Sequence, residues 1–445
     1  MRISDQVPLS TLAETGKSRP RALRRIANNA MSLFALQGLT YLVSFLTVPY
    51  LLRVLGTSNF GSIAFANTVM AQFILLTDFG FASSATRLVA IHSNDKEQLN
   101  MLFSAVMGVK FVLLGLSAIV VFILAFNFTR FHAERSILGV AFLQVVGSIL
   151  FPSWLFQGLE RMRLISSISI VVRLCSTALI FVFVHGPSDV LAAMSFQTGG
   201  VLLQGCIAFL FAVFVLKIDL KRPGLASMWN QAKDSFHPFL GASMGNLVGG
   251  SSVLFLGMFK DMGMVGSYAA VERTARAEVM AMLPISQAAY PHVSQRFHES
   301  LQSGNRAVLK LCSYMLGGAL LFVGSIALLS RHILHLLYGN KLLSQAHLFS
   351  SFSAWSFLSL LNTLLGLHYL IASGHAKAYG RSVFWSALTT VLLFVTLIPR
   401  LGSWGALTAV LVGEVVQTAI MAVSIIAINR KPGTLEPIPV DAQTL

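Results

Sequence analysis

The sequence predicts an all-α membrane protein of about twelve transmembrane helices, in two six-helix bundles related as a parallel repeat around a central cavity. Three observations predict it. Of 445 residues, 55% are hydrophobic and only 11% charged, a balance that a water-soluble chain of this length does not need. Twelve mostly apolar stretches are separated by short polar connections, and a helix of about 20 such residues crosses a bilayer. Short matches also recur in the same order in the two halves of the chain.

The stretches run over 28–51, 61–82, 99–126, 136–156, 164–184, 190–216, 238–259, 266–292, 307–330, 344–372, 379–399 and 402–428. They divide the chain into a cytoplasmic N-terminal segment (1–27), a first lobe of spans one to six (28–216), a cytoplasmic linker (217–237), a second lobe of spans seven to twelve (238–428) and a cytoplasmic tail (429–445). The basic leader feeds an apolar stretch longer than the ~7–15 residues of a signal-peptide core and has no clear small-residue cleavage site, so the first span is expected to be retained. The tail, with Pro432, Pro437 and Pro439, has nothing to bury and is expected to be disordered.

The formal charge of +15 does not point to nucleic acid, because Lys and Arg are spread over the connections and form no single patch. Topology accounts for them. With the N-terminus inside, 20 fall on the inner side, 7 on the outer, and 5 within or at the ends of helices, so both termini are expected in the cytoplasm. Cys175, Cys206 and Cys312 fall inside spans and read as small apolar packing residues.

The repeat rests on ordered matches at equivalent span ends. Phe60-Gly61-Ser62-Ile63-Ala64 opens span two and Val265-Gly266-Ser267-Tyr268-Ala269 opens span eight. Gly158 and Gly374 follow spans four and ten, each ahead of basic residues, and Val190-Leu191-Ala192-Ala193 parallels Ala406-Leu407-Thr408-Ala409. A duplicated transporter with a cavity between bundles is one reading; coincidental small-residue helix packing is the other.

Nine ionisable residues lie within or near membrane depth: Asp78, Lys110, Arg173, Glu272, Arg273, Arg276, Glu278, Lys310 and Glu414. At about 3 kcal/mol each, facing all of them to lipid would cost more than a typical protein's net stability. Most therefore face protein or water. Arg173 has Ser166, Ser169, Ser176 and Thr177 on its own helical face, as the wall of a wet cavity requires; a structural arginine paired with a neighbouring acid is the alternative. On span eight, Glu272, Arg273 and Arg276 share an arc while Glu278 points away. Glu272 and Arg276 can pair at four-residue spacing, which leaves Arg273 less compensated and able to meet an anion; a closed ion-pair cluster is the competing reading. A guanidinium fork matches phosphate oxygens, so Arg173 with Arg273 or Arg276 could clasp a pyrophosphate, with Lys110 a further candidate unless it pairs with an acid. Asp78, Glu272, Glu278 and Glu414 are candidates for ion coupling or for charge pairs.

His332 and His335 are three apart but lack nearby Cys or acidic ligands, so no metal is expected. No Gly-x-x-x-x-Gly-Lys-Ser/Thr motif occurs, so ATP is not expected to be bound directly.

Val48-Pro49-Tyr50-Leu51-Leu52-Arg53-Val54-Leu55-Gly56, then Phe60-Gly61, then Asp78-Phe79-Gly80 with Ser84-Ala85-Thr86-Arg87 resemble the opening of Wzx-type polysaccharide and O-antigen flippases. These form the polysaccharide transport family of the multidrug/oligosaccharidyl-lipid/polysaccharide exporter superfamily. Gln157-Gly158 and Ser373-Gly374 are similar to the family's span-end signatures. The resemblance implies a multi-pass protein of the bacterial inner membrane, moving undecaprenyl-pyrophosphate-linked oligosaccharide outward by alternating access between membrane lipids. It implies no cofactor, coupling to H⁺ or Na⁺, and glycan polymerase and chain-length proteins as partners. The family's cavity residues vary, so the roles of Arg173, Arg273, Arg276 and Lys110 rest on local chemistry.

A cation-coupled multidrug or metabolite exporter of the same superfamily is the nearest rival, and it favours acidic cavity residues. A membrane glycan polymerase or ligase needs a sizeable external loop, whereas the outer connections here hold at most about a dozen residues.

Overall fold

In lipid a chain must satisfy its backbone polar groups internally, and a helix does so within one segment. The computed structural model describes the backbone of residues 9–430 and the side chains of Val43 and of residues 45–430. Among them there is no strand. The expected disordered tail beyond Arg430 lies outside the described residues.

The first half comprises α1 (Leu9–Asp78), α2 (Phe81–Ile91), α3 (Lys96–Asn127), α4 (Thr129–Ala133), α5 (Arg135–Ile149), α6 (Ser153–Gly158), α7 (Met162–Phe183) and α8 (Val190–Leu210). The second comprises α9 (Leu225–Gly250), α10 (Ser252–Phe259), α11 (Met262–Glu299), α12 (Leu301–Leu328), α13 (Ser330–Tyr338), α14 (Ala346–Thr363), α15 (Ala376–Leu401) and α16 (Ser403–Arg430). Each of the twelve stretches read from sequence falls on helix. By length and apolarity nine segments of the described residues can cross a membrane, or ten when the bent pair α9–α10 is counted as one span. The difference has clear causes. Spans one and two run together in α1, broken only at Gly56 (φ 81, ψ 168), and α11 is too polar along its length to qualify, with Glu272, Arg273, Arg276 and Glu278 in one part and Ser286, Gln287, His292 and Gln295 in the next.

Local departures follow from particular residues. The stretch 136–156 is interrupted before Pro152, where α5 gives way to α6, because proline cannot donate into the ladder. Most of the expected linker 217–237 is helix, since α9 begins at Leu225 directly after Pro223-Gly224; its polar Asn230, Gln231, Lys233 and Asp234 hid the helix from a hydropathy reading. The ends of spans six and ten relax into wide π turns at Phe211–Val215 and Leu364–Ile371.

Within the first half α5 and α7 pack on α8 and on α1; within the second, α15 pairs with α16, and α14 packs on α11, α12 and α16. The halves meet chiefly along α1 and α11. At one end of this seam Arg53 donates to the Leu336 carbonyl (2.6 Å) and Lys341 donates to the Arg53 carbonyl (2.9 Å). At the other end α2 packs on α9. There Phe79 (φ 45) and Gly80 (φ 77) leave α1 in left-handed conformations. A Cβ on Gly80 would stand 2.6 Å from both Ser235 O and Phe239 N, so the turn needs a glycine on two counts. Phe79 stacks on Phe239 with centroids 4.6 Å apart, and the Ser84 and Ser235 hydroxyls are 2.6 Å apart. The halves are thus joined at both ends, and the space left between them is the cavity.

Candidate functional site

A cavity of about 460 Å³ lies between the halves, and six helices line it. From α7 come Arg173, Ser176 and Thr177; from α11 come Arg273, Thr274 and Arg276; from α1, α5 and α8 come Asn67, Gln144, Gln197 and Gln204; Tyr338 closes it from α13. The two helices expected to carry the anion clasp, one from each half, therefore converge on one space. No carboxylate is among the described residues lining it.

The arginines do different work. Arg276 donates to Glu272 Oε1 (2.8 Å) at the expected four-residue spacing, donates to the Gly249 carbonyl, and lies over the Trp355 ring at 5.3 Å. Glu272 also accepts from Ser252 Oγ (3.0 Å). This cluster closes on itself and fastens the α9–α10 break, whose two helices bend by 59°. Arg273 has neither a hydrogen bond nor an ion pair among the described residues; it stands over the Phe60 ring at 5.9 Å and is open to the cavity. Arg173 is likewise exposed there and lies close enough for its charge to act on Arg273. Two like charges facing one cavity, with no carboxylate among the described residues that line it, favour an anion there.

The polar face around Arg173 is shorter than its sequence spacing implies. Ser176 and Thr177 line the cavity with it, whereas Ser166 and Ser169 are buried, 1% and 4% exposed. The wet part of α7 is its second half.

Lys110 lies apart from the guanidinium groups. Its Nζ is 3.1 Å from Asp78 Oδ1, and the pair lines a smaller cavity of about 260 Å³ that adjoins the first through Val201 and Gln204. The acid that pairs with Lys110 is thus the one expected near the end of span two. Glu414 has no basic partner among the described residues. It accepts from Trp355 Nε1 (3.2 Å) and from Asn362 Nδ2 (2.5 Å), and Thr418 donates to Asn362. Glu278 is 3% exposed, and both its carboxyl oxygens are without a hydrogen-bond partner among the described residues. A third cavity, about 430 Å³, lies behind Arg273 and Arg276, with Glu272, Asn246 and the α9–α10 break in its wall.

The sequence reading passed over the amides and one histidine. Asn67, Gln144, Gln197 and Gln204 carry no charge and so escape a search for ionisable residues, although a primary amide in an apolar span is itself costly. His368, fully buried in the π turn after α14, bonds Ser286 Oγ through Nε2 at 2.8 Å. Counting amides and histidines with the charged residues would have found all five.

A helical membrane chain whose halves share a cavity rimmed by guanidinium and amide groups, with no carboxylate among the described residues that line it, defines a polytopic protein with an internal compartment suited to an anionic polar guest. The chain belongs to the polysaccharide biosynthesis protein family, whose family model matches residues 26–298; the resemblance carried by the opening motifs is borne out at that level. It is 28% identical over 405 residues to a protein of Escherichia coli (strain K12) whose name assigns it to O-antigen transport, covering 90% of this chain and 96% of that one. Its fold is similar to that of the lipid II flippase MurJ in an inward closed conformation, with a TM-score of 0.70 at 12% identity over 89% of this chain and 87% of that one. A multidrug resistance MATE family transporter of the MOP superfamily, inward-facing, is similar at a TM-score of 0.65 and 13% identity, over 88% of this chain and 96% of that one. At those identities the last two likenesses concern the fold.

Proposed function

We propose that this protein is a flippase that carries a lipid-linked oligosaccharide, joined through undecaprenyl pyrophosphate, from the cytoplasmic to the periplasmic leaflet of the bacterial inner membrane for surface polysaccharide assembly. The observation that carries the reading is the pair Arg173 and Arg273, one from each half, open to a single cavity that no described carboxylate lines. Guanidinium forks match pyrophosphate oxygens in geometry and charge. A cavity for cationic drugs would favour carboxylates, which disfavours the exporter alternative. The O-antigen transport name of a relative over nine-tenths of the chain supports the same cargo class.

Transport then requires the two end contacts, Arg53 with α13 and Phe79 with Phe239, to part in turn, which is alternating access with both termini cytoplasmic. We assign coupling to H⁺ at Glu278 in preference to Na⁺. Asp78 and Glu272 are engaged by cations and Glu414 by two donors, whereas Glu278 has neither among the described residues, and a bare Na⁺ needs several oxygen ligands. Glycan polymerase and chain-length proteins are the expected recipients of the cargo.

Deleting the protein should strand the lipid-linked oligosaccharide in the inner leaflet and remove the glycan from the cell surface. Complementation by Arg273→Ala should fail although the variant reaches the membrane at normal abundance. Normal outer-leaflet levels of the lipid-linked unit in the deletion strain would reject the reading.

A further inference from the structure

The amides of the cavity are connected. Gln144 Nε2 on α5 donates to Asn67 Oδ1 on α1 (2.8 Å), and Asn67 Nδ2 donates to Gln197 Oε1 on α8 (3.3 Å). One amide relay thus crosses three helices of the first half, facing the cavity at each step. A relay of three amides leaves an acceptor open at one end and donors open at the other, here Gln144 Oε1 and Gln197 Nε2, and reversing every amide reverses the direction without closing either end. Two turns along α8 from Gln197, Gln204 lines both this cavity and the adjoining one and makes no hydrogen bond among the described residues. Ser176 Oγ, which donates to the Val172 carbonyl (2.9 Å), lines the cavity from α7, packed against Gly200 of α8.

This wall is chemically unlike the arginine wall. An amide presents a donor and an acceptor side by side and carries no charge. It adds no charge to balance a pyrophosphate and has no carboxylate for a cation, but its donor and acceptor fit a group that both gives and takes a hydrogen bond. A hydroxyl is such a group, and neighbouring hydroxyls on a sugar ring match the two edges of one amide. The placement agrees with this. The guanidinium groups enter from α7 and α11, the amides from α1, α5 and α8, all within one cavity. A guest with a pyrophosphate joined to a sugar can therefore engage both walls at once. Through Gln204 the amide wall continues into the adjoining 260 Å³ cavity, where Ser148, Ser153 and the Asp78–Lys110 pair extend the polar lining.

We infer that Asn67, Gln144, Gln197 and Gln204 form a glycan subsite that reads the hydroxyls of an uncharged sugar attached to the pyrophosphate, with the open amide of Gln204 as a specificity-determining group. The inference rests on the flippase reading and adds the part of the cargo that the arginines leave unread. It accounts for polar side chains that a purely structural tie would not require: among the described residues Gln204 has no hydrogen-bond partner and the relay's two ends remain unfilled.

The test measures binding to the purified full-length protein of two probes, farnesyl pyrophosphate and farnesyl pyrophosphate bearing one neutral hexose. Two amide–hydroxyl hydrogen bonds are worth about tenfold in affinity, so the hexose should tighten binding to the wild type by that factor. Gln204→Ala removes no hydrogen bond among the described residues, so folding is expected to survive; Gln197→Leu is the second variant. Each should hold farnesyl pyrophosphate within twofold of wild type. In at least one of them the hexose should lose most of its contribution, while Arg273→Ala weakens both probes. If the wild type binds farnesyl pyrophosphate but the hexose adds nothing, or if both glutamine variants keep the full gain, the glycan subsite is refuted and the pyrophosphate clasp stands. If the wild type binds neither probe, the flippase reading itself fails.

Discussion

Gly61 and Gly266 meet backbone to backbone where α1 crosses α11, and their contacts are reciprocal. A Cβ built on Gly61 would fall on the Met262 carbonyl and 2.9 Å from Gly266 N; one on Gly266 would fall on the Thr57 carbonyl and 2.9 Å from Gly61 N. Gly266 follows Gly61 by 205 residues, and Met262 follows Thr57 by the same interval. Such exchange of equivalent partners is what a two-fold relation between the halves produces. The short sequence matches at the openings of spans two and eight are thus in contact with each other.

The obstacle to any side chain at this crossing is backbone, which cannot rotate away. Gly61→Leu should separate α1 from α11 and destabilise the protein by about 1–3 kcal/mol, as overpacking does. A lowered thermal midpoint in detergent, with loss of transport, is the expected result. An unchanged midpoint would show that the halves do not approach this closely in the membrane.

Lys110 is 4% exposed at its side chain and Asp78 34%, so the ammonium depends on its partner far more than the carboxylate does. Asp78→Asn should strand a buried cation and cost about 3–5 kcal/mol, while Asp78→Asn with Lys110→Met should recover most of the loss. Thermal unfolding of the single and double variants gives the coupling directly, and a double variant no better than Asp78→Asn would sink this account.

The helices, the Glu272–Arg276 pair and the less compensated Arg273 were legible because each depends on residues within a few positions of one another. Arg173 beside Arg273 was legible only as two separate faces, because α7 and α11 are brought together by the α1–α11 crossing and by Gly200 yielding to Ser176 as α8 packs on α7. The partner of Lys110 lies 32 residues away and was one acid among several. The amide relay was illegible because three neutral residues on three spans carry no local pattern. The polar start of α9 read as a loop because hydropathy does not distinguish a solvated helix from a solvated coil.

Arg276 and Arg273 differ by three positions and should fail differently. Arg276 holds Glu272 and the Gly249 carbonyl across the α9–α10 break, and hydrogen bonds of charged groups are worth about 1.5–3 kcal/mol each. Arg276→Ala should therefore lower membrane abundance and the thermal midpoint. Arg273→Ala removes no bond among the described residues, so abundance should stay near normal while transport falls. Measuring surface glycan and membrane protein level in the same cells separates the two effects, and equal loss of abundance in both variants would place Arg273 in the scaffold.

Glu278 is the acid for which the protein supplies least. Its two carboxyl oxygens lack donors among the described residues, and the hydroxyl of Ser356, a polar neighbour on α14, is buried without a partner as well. Burying a charge beside a single hydroxyl that does not reach bonding geometry costs several kcal/mol, whereas a neutral group of the same shape loses only its own hydrogen bonds. Glu278→Gln should accordingly match or exceed the wild-type thermal midpoint, and Glu278→Lys should not, since no described carboxylate pairs with that position. If the same carboxyl carries the coupling proton, Glu278→Gln should also make transport in vesicles indifferent to an imposed pH gradient while sparing binding of the pyrophosphate probe. Gradient-driven transport at the wild-type rate in Glu278→Gln would assign the coupling elsewhere and leave Glu278 as a neutral packing group.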